Sequence, residues 1–244
     1  MKLGGHRGSG ISDRPDHPRP SRWQENSKTS IDRAFALGAD FVELDWVWDG
    51  QGQGWICHSM ALEQHFSVPP GFLDHLSTHQ VSQLRGFLGE PLLSLEEAMR
   101  HYSDRAVNLE IKGLKGCQRE RGSFLQQSCP ENWPGTWWLS SFDPLDLLEA
   151  EDRWPNVQLA LLSAEQGAVG HQYFNSTPYL TGVQALKVLE SHPDWWWHPE
   201  LTDRPDSKRY QIGWSIDGDQ EHRYSLEGLQ GLITDHLDDW LKTG

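Results

Sequence analysis

The chain has 244 residues, a length that fits one large domain or two small ones, and a barrel is a common single-domain case. Its net charge of −14, from 21 basic against 35 acidic residues, argues against nucleic acid or an anionic membrane as a partner. No apolar run approaches the ~20 residues that span a bilayer, and no apolar segment follows the first residue, so we expect neither a membrane anchor nor a signal peptide.

The cysteines indicate a reducing compartment. There are 3 of them, at positions 57, 117 and 129, and no two are spaced as in C-x-x-C. An odd, low count predicts reduced thiols in a cytoplasmic protein and argues against a structural zinc site. The 13 tryptophans supply much of the apolar surface that a core needs.

Short apolar segments recur along the chain and predict β-strands. The candidates are Met1–Gly5, Phe41–Val47, Trp55–His58, Val107–Ile111, Trp137–Ser140, Val157–Leu162, Trp195–His198, Tyr210–Ile216 and Gly231–Thr234.

Helix patterns lie between these strands. An apolar face followed by a terminal glycine predicts a helix over Asn26–Gly38. A capping box at Ser94 opens a helix that runs to about His101, and Asp143 before a proline opens another. Two further candidates are Thr181–Ser191 and Asp235–Lys242.

This alternation of strands and helices predicts a parallel sheet covered by helices. With roughly eight units in a chain of 244 residues, the closed (β/α)₈ barrel is favoured over an open sheet. We expect residues 1–244 to form a single barrel domain. Residues Ser59–Gly89 lack clear periodicity and predict a small insertion over the barrel mouth, and Ala164–Pro178 is also weakly patterned.

Charged residues inside two predicted strands are the most informative feature. In Phe41–Val47, Glu43 and Asp45 share one face and the apolar residues take the other. In Val107–Ile111 the same alternation turns Glu110, and Lys112 just beyond the strand, toward the barrel interior. Three carboxylates in one place form a set of hard oxygen ligands that suits Mg²⁺ or Ca²⁺. The alternative is a metal-free ion network of Lys112 with Glu110 or Glu43.

Two histidines lie at the carboxyl ends of predicted strands. His6 and Arg7 come after the first strand between glycines and could meet a bound oxyanion, although a solvated turn is the alternative. His58 ends its own strand, where a hydrogen-bonded strand end is the alternative. A nucleophilic pair of Cys57 with His58 is disfavoured because strand neighbours point to opposite faces.

The remaining aromatic and imidazole side chains are less informative about function. The three tryptophans at 195–197 predict a buried strand, with a carbohydrate platform as the alternative. We expect the other histidines to be solvated or locally hydrogen-bonded. These are His17, His65, His75 and His79.

In their order along the chain, these residues resemble the glycerophosphodiester phosphodiesterase family. The matching segments are Gly5-His6-Arg7-Gly8, Glu25-Asn26-Ser27, Ser30–Asp45, His58, Pro91–Ala98, Leu109–Lys112, Ser140–Asp143, Gly213–Asp217 and Gly231–Asp235. The resemblance implies a TIM barrel that uses one divalent cation, Mg²⁺ or Ca²⁺, to hydrolyse glycerophosphodiesters to glycerol 3-phosphate and an alcohol.

The resemblance also implies roles for individual residues. It assigns His6 and His58 as the catalytic acid/base pair. The implied metal ligands are Glu43, Asp45 and Glu110; Arg7 and Lys112 would hold the substrate phosphate; and Glu25, Asn26 and Trp214 would contact the substrate or support the groups that do.

The chain departs from the family pattern after His58, where Ser59 replaces an aspartate, and before Glu25, where Gln24 replaces a commoner proline. These departures leave the alcohol side of the substrate open. Two alternative functions remain: a phospholipase D-like cyclising enzyme that acts on lysophospholipids with the same metal site, and a catalytically silent barrel that binds a phosphate or sugar. We expect a small soluble substrate rather than a bilayer lipid, because the chain carries no basic or apolar anchor. The sequence does not indicate an oligomeric state.

Overall fold

Eight parallel strands form the centre of the computed structural model, which describes residues 1–9, 23–58, 61–112, 130–164, 179–201, 208–214 and 225–242. The strands found in these ranges are β1 (Lys2–Gly5), β2 (Phe41–Trp48), β3 (Gly54–Ile56), β4 (Leu93–Ser94), β5 (Val107–Ile111), β6 (Trp137–Ser141), β7 (Gln158–Ser163), β8 (Trp196–Pro199), β9 (Ile212–Gly213) and β10 (Gly231–Thr234). The α-helices are α1 (Lys28–Leu37), α2 (Thr78–Ser82), α3 (Leu95–His101), α4 (Pro144–Arg153), α5 (Gly182–Ser191) and α6 (Leu237–Lys242).

The parallel strands follow the order β8-β7-β6-β5-β2-β1-β10-β9. The two ends of this row meet through parallel bridges from Trp197 to Gln211 and from Glu200 to Trp214. The result is a nearly closed barrel of eight parallel strands with helices between them, which confirms the predicted (β/α)₈ fold.

Two predicted strands differ from the observed ones by more than one residue at an end. The strand expected at Trp55–His58 is β3, which ends at Ile56 and pairs antiparallel with β2 outside the ring. His58 therefore lies two residues beyond the strand rather than at its end. Within Tyr210–Ile216 the regular strand is Ile212–Gly213, and residues 215–216 of that prediction lie outside the described residues.

The predicted helix signals are largely confirmed. Ser94 forms the expected capping box with Glu97, and Asp143 caps the helix that begins with Pro144. The helix predicted from Asn26 begins instead at Lys28, because Asn26 has a φ of 57° and cannot continue an α-helix.

The alternation predicted on β2 and β5 is also confirmed. All eight residues of β2 are buried because the strand is covered on both faces. Val42, Leu44 and Trp46 face the surrounding helices and pack with Leu109 and Ile111 of β5. Their neighbours along each strand consequently point into the barrel, which positions the polar side chains described below.

The described part of the predicted insertion, residues 61–89, has its own apolar cluster. It contains two short 3₁₀ helices, Leu62–Gln64 and Leu73–His75, followed by α2. Its buried side chains pack against the end of β2, against β3 and against Cys57, which follows β3. The cluster comprises Val47, Trp55, Cys57, Leu62, Phe66, Leu73, Val81 and Leu92. The segment is thereby held beside the C-terminal end of β2.

No helix among the described residues combines the length and the apolar character needed to cross a membrane.

Candidate active site

Four neighbouring strands deliver polar side chains to one end of the barrel. His6 and Arg7 follow β1, Glu43 and Asp45 lie on β2, and Glu110 lies on β5. Two more charged residues, Lys112 and Asp235, come directly after β5 and β10. These strands are adjacent in the order β10-β1-β2-β5, so their carboxyl ends meet at the face where TIM barrels carry their active sites.

Three carboxylates converge there as predicted. Asp45 and Glu110 are paired across β2 and β5, and Glu43 lies on the same face of β2. One oxygen from each of the three side chains lies within 4.8 Å of the others, and all three residues are buried. Oxygen Oε1 of Glu43 is buried and accepts no hydrogen bond from the described residues. A buried, unsatisfied anionic oxygen beside two further carboxylates fits a divalent cation.

Among the three carboxylates, Asp45 is contacted by two cationic side chains and one amide donor. Its Oδ1 lies 2.7 Å from Lys112 Nζ, and Asn26 donates a 2.8 Å hydrogen bond to its Oδ2. Arg7 Nε lies 3.4 Å from the same Oδ2. Burial raises the pKa of Asp45, but Lys112 and Arg7 more than offset this and lower it to about 2. Asp45 is therefore ionised at neutral pH.

The other two carboxylates titrate in the opposite direction. Burial and the charge of Asp45 raise the pKa of Glu43 to about 8. Burial also raises the pKa of Glu110, although Lys112 opposes this from 2.7 Å. In the absence of a cation, a proton on Glu43 relieves the repulsion between neighbouring carboxylates, and the raised pKa of Glu110 is a response to the same repulsion and to burial.

Lys112 makes one of the ion pairs of the metal-free alternative. Its Nζ contacts Glu110, as that alternative predicted, and also contacts Asp45. Burial disfavours its charged form, but these two carboxylates raise the pKa of Lys112 above its usual range. Lys112 and the three carboxylates belong to one cluster, so the metal-site interpretation and the metal-free ion network involve the same residues.

Arg7 connects the parts of the site, and its backbone is strained. Its φ is 50°, in the left-handed region that costs a residue with a side chain about 1–3 kcal/mol. This turn lets its backbone N–H donate to Glu43 Oε2 at 3.0 Å. Its Nη1 donates to both oxygens of Glu25, at 3.2 and 3.0 Å. Asn26, with a φ of 57°, donates its own backbone N–H to the Arg7 carbonyl. Two strained residues in contact are typical of functional sites.

His6 has a partner that the sequence analysis missed. Its Nδ1 lies 2.6 Å from Asp235 Oδ1, and its Nε2 lies 3.8 Å from Glu43 Oε2. Burial lowers the pKa of His6, but the Asp235 and Glu43 carboxylates raise it overall to about 9. The carboxylate fixes which nitrogen of the imidazole faces Glu43. The two partners are 229 positions apart in the sequence, and the family resemblance of Gly231–Asp235 assigned no role to Asp235.

His58 lies close to Glu25, the ion-pair partner of Arg7, and to a second missed residue, His65. One ligand atom from each of these three side chains lies within 4.8 Å of the others. His65 was expected to be solvated or locally bonded, but it is 6% exposed and its Nδ1 lies 3.4 Å from Glu25 Oε1. The prediction was wrong because the insertion folds His65 against the barrel. His75 and His79 are exposed, whereas His17 lies outside the described residues.

Trp214 belongs to an aromatic group beside the charged cluster. Its ring meets Phe142 edge-on at 5.4 Å, and Phe142 stacks on Tyr179 at 4.1 Å. The pKa of Tyr179 is raised, first by burial and also by the nearby charge of Glu110, with Lys112 opposing. Tyr179 is therefore close enough to the carboxylates to be affected by their charge, and Phe142 connects Tyr179 to Trp214. The tryptophans at 195 and 197 are buried, and Trp196 stacks on Tyr210 at 4.3 Å, which favours the packing interpretation of this strand.

Solved structures with the same fold were found by comparison, although no family model and no curated protein sequence matches the chain. A phosphodiesterase from Oleispira antarctica, in complex with the product sn-glycerol-3-phosphate, is 20% identical with a TM-score of 0.71, covering 100% of this chain and 96% of that one. A glycerophosphodiester phosphodiesterase from Thermotoga maritima is 16% identical with a TM-score of 0.67, covering 100% and 98%. The corresponding enzyme from Agrobacterium tumefaciens is 14% identical with a TM-score of 0.67, covering 99% of each chain.

These similarities extend over almost the whole length of each chain. They confirm, at the level of the fold, the resemblance to glycerophosphodiester phosphodiesterases that the sequence motifs indicated. At 14–20% identity they establish the barrel, and the chemistry rests on the side chains of this chain.

Proposed function

We propose that this protein is a metal-dependent phosphodiesterase that hydrolyses glycerophosphodiesters to glycerol 3-phosphate and an alcohol. The observation that carries the proposal is the convergence of Glu43, Asp45 and Glu110 with the cations Arg7 and Lys112 at the carboxyl ends of β1, β2 and β5. Three carboxylates suit Mg²⁺ or Ca²⁺, and the two cations suit a phosphodiester anion beside it.

The side chains supply the remaining requirements of phosphodiester cleavage. Glu43, Asp45 and Glu110 would hold the cation, which when bound supplies positive charge to the phosphate and lowers the pKa of a coordinated hydroxyl. Lys112 and Arg7 neutralise the phosphate oxygens. His6, oriented by Asp235, and His58, beside Glu25, are the groups that move protons to and from the reacting oxygens.

A coupled assay for glycerol 3-phosphate tests this proposal. We expect release from soluble diesters such as glycerophosphocholine and glycerophosphoethanolamine in the presence of Mg²⁺ or Ca²⁺, and loss of release with EDTA. Glu43→Gln should weaken metal binding, whereas the exposed helix variant Glu96→Gln should match the wild type. Full turnover in excess chelator would exclude the metal site.

The same assay separates the two alternative functions. A cyclic phosphate product, or faster turnover of lysophospholipid in vesicles, would favour the phospholipase D-like reaction. Binding of glycerol 3-phosphate without turnover of any diester would favour the silent barrel. We propose the soluble substrate because the chain carries a net charge of −14, and we propose a cytoplasmic location because the chain has an odd, low number of cysteines, 3, without a C-x-x-C spacing.

Two histidine variants test the acid/base pair. An alkoxide leaves poorly without a proton, whereas nitrophenolate leaves readily. Changing the histidine that acts as the acid to Ala should therefore lower turnover of a glycerophosphoalcohol by ~10²–10⁴-fold and spare a nitrophenyl diester. Changing the base should lower both. If His6→Ala and His58→Ala both keep near wild-type rates with folding and metal intact, the pair is misassigned.

A further inference from the structure

Arg7 connects the carboxylate cluster to a second group of metal-ligating side chains, because its guanidinium contacts both Asp45 and Glu25. This second group consists of Glu25, which precedes α1, His58, which follows β3, and His65, which lies in the insertion. One oxygen or nitrogen from each lies within 4.8 Å of the others. The rings of His58 and His65 meet edge-on with centroids 6.0 Å apart. No residue is shared with the cluster of Glu43, Asp45 and Glu110.

These side chains line a small cavity. Its volume is about 20 Å³, and its wall includes Glu25, Asn26, Cys57, His58 and His65. A cavity of this size accommodates one water molecule or one metal ion. Two imidazoles and a carboxylate around a single-atom cavity are the donor set of first-row transition metals.

We propose that Glu25, His58 and His65 bind one divalent cation of the borderline class, of which Zn²⁺ is the representative, at a site separate from the Mg²⁺ or Ca²⁺ site.

The charges around this cavity favour a borderline cation over a hard one. Arg7 donates to both oxygens of Glu25 and neutralises much of its charge, so the electrostatic attraction for Mg²⁺ or Ca²⁺ is weak. A carboxylate has about four lone-pair positions, which leaves Glu25 able to accept from Arg7 and ligate a cation as well. Neutral imidazole nitrogens then contribute most of the binding, and they suit Zn²⁺.

The protonation of Glu25 is compatible with this role. Burial opposes its ionisation, but Arg7 and His65 hold the pKa of Glu25 below its usual range. The carboxylate is therefore available as a ligand at neutral pH. The exposed fraction of Glu25 is 6%, as is that of His65, so neither side chain requires rearrangement from solvent to reach the cavity.

Occupancy of this site would affect the barrel in two ways. It would fasten the insertion, through His65, to the segment before α1. It would also engage His58, so that this histidine no longer transfers protons. This second consequence rests on the proposed phosphodiesterase function, and it predicts inhibition by Zn²⁺ in protein saturated with Mg²⁺.

Cobalt provides a direct spectroscopic test. The full chain is saturated with Mg²⁺ to occupy the carboxylates, and Co²⁺ is then added while visible ligand-field absorption is recorded. We expect one equivalent of Co²⁺ to bind and Zn²⁺ to displace it. His65→Gln and His58→Gln should each weaken Co²⁺ binding at least ~100-fold, since loss of even an outer-shell partner costs ~10–100-fold. The exposed His79→Gln, on the same insertion, should bind as the wild type does.

The outcomes separate this proposal from the proposed function. Equal Co²⁺ binding by wild type and His65→Gln, or displacement of Co²⁺ by added Mg²⁺, would overturn the second site. If His65→Gln fails to fold by circular dichroism, the His58→Gln comparison decides. Inhibition of glycerol 3-phosphate release by one equivalent of Zn²⁺ would support the catalytic consequence. If the protein releases no glycerol 3-phosphate under any condition, the proposed function fails while the cobalt spectrum still decides the site.

Discussion

Removing the charge of Asp45 and removing the charge of Glu43, both on β2, should change the stability of the metal-free protein in opposite directions. Asp45 contacts Lys112 at 2.7 Å and Arg7 at 3.4 Å, so Asp45→Asn removes a buried counterion from two partly buried cations. Removing one partner of a buried ion pair typically costs about 3–5 kcal/mol. Because Lys112 retains Glu110 and Arg7 retains Glu25, we expect the lower end, about 3 kcal/mol.

Glu43→Gln should instead stabilise the metal-free protein. The pKa of Glu43 rises from 4.5 to about 8 on folding, so the folded state holds a proton that the unfolded chain releases. This costs about 1.4 kcal/mol for each pH unit above the unfolded pKa, or about 3 kcal/mol at pH 7. Glutamine resembles the protonated acid and has no proton to release. The cost is absent below pH 4.5 and grows as the pH rises toward 8.

Urea denaturation in EDTA measures both effects. At pH 7 the midpoint should fall for Asp45→Asn and rise for Glu43→Gln, and Glu96→Gln serves as a surface control. At pH 5 the gain from Glu43→Gln should shrink below about 1 kcal/mol. Excess Mg²⁺ should stabilise the wild type and leave Glu43→Gln nearly unchanged. The reasoning fails if both variants shift in the same direction, or if the Glu43→Gln gain does not depend on pH.

Three further predictions concern residues around the site. Asp235→Asn should lower the pKa of His6 toward its usual range, measured by NMR titration in chelator, because the 2.6 Å carboxylate partner loses its charge; an unchanged titration would contradict the assigned pair. Burial lowers the pKa of His198 to about 3, so folding favours its neutral form and stability falls as the pH drops below 6.5. Between pH 6.5 and 5 the wild type should lose about 2 kcal/mol relative to His198→Leu in urea denaturation, and parallel losses would refute this. Gly8→Ala should cost about 2 kcal/mol in thermal denaturation, because Gly8 has a φ of +95° and a Cβ would lie 2.5 Å from Ser30 Oγ; an unchanged melting temperature would show that the turn relaxes.

The sequence predicted the centre of the site because strand alternation is a local property. Glu43 and Asp45 share a face two positions apart, and Glu110 shows the same pattern on β5. Once the strands are parallel neighbours, the register that pairs Asp45 with Glu110 brings the carboxylates together. The order of the motifs along the chain predicted the barrel for the same reason, since each strand–helix unit is recognisable on its own.

The parts that escaped prediction depend on contacts between distant segments. Asp235 meets His6 because β10 is adjacent to β1 in the ring, a fact that neither segment encodes alone. His65 lies in a segment with no helical or strand periodicity, and packing of its apolar neighbours against the end of β2 sets its position. The start of α1 was misplaced because the φ of Asn26 follows from its hydrogen bonds with Asp45 and not from helix propensity.

The charge balance of the candidate site explains why its carboxylates titrate in different directions. The cations Arg7 and Lys112, with His6 protonated, face five carboxylates, which leaves a formal charge of about −2. That excess equals in size the charge of one divalent cation, and Glu43 Oε1 is a buried oxygen of the cluster with no hydrogen-bond partner among the described residues. In the metal-free protein, a proton on Glu43 provides part of the missing charge, and the raised pKa of Glu110 is a response to the same excess. Metal ligands must be deprotonated. A bound cation would therefore displace protons from the carboxylates that bind protons most readily in the metal-free protein. The five carboxylates of this charge balance are Glu25, Glu43, Asp45, Glu110 and Asp235.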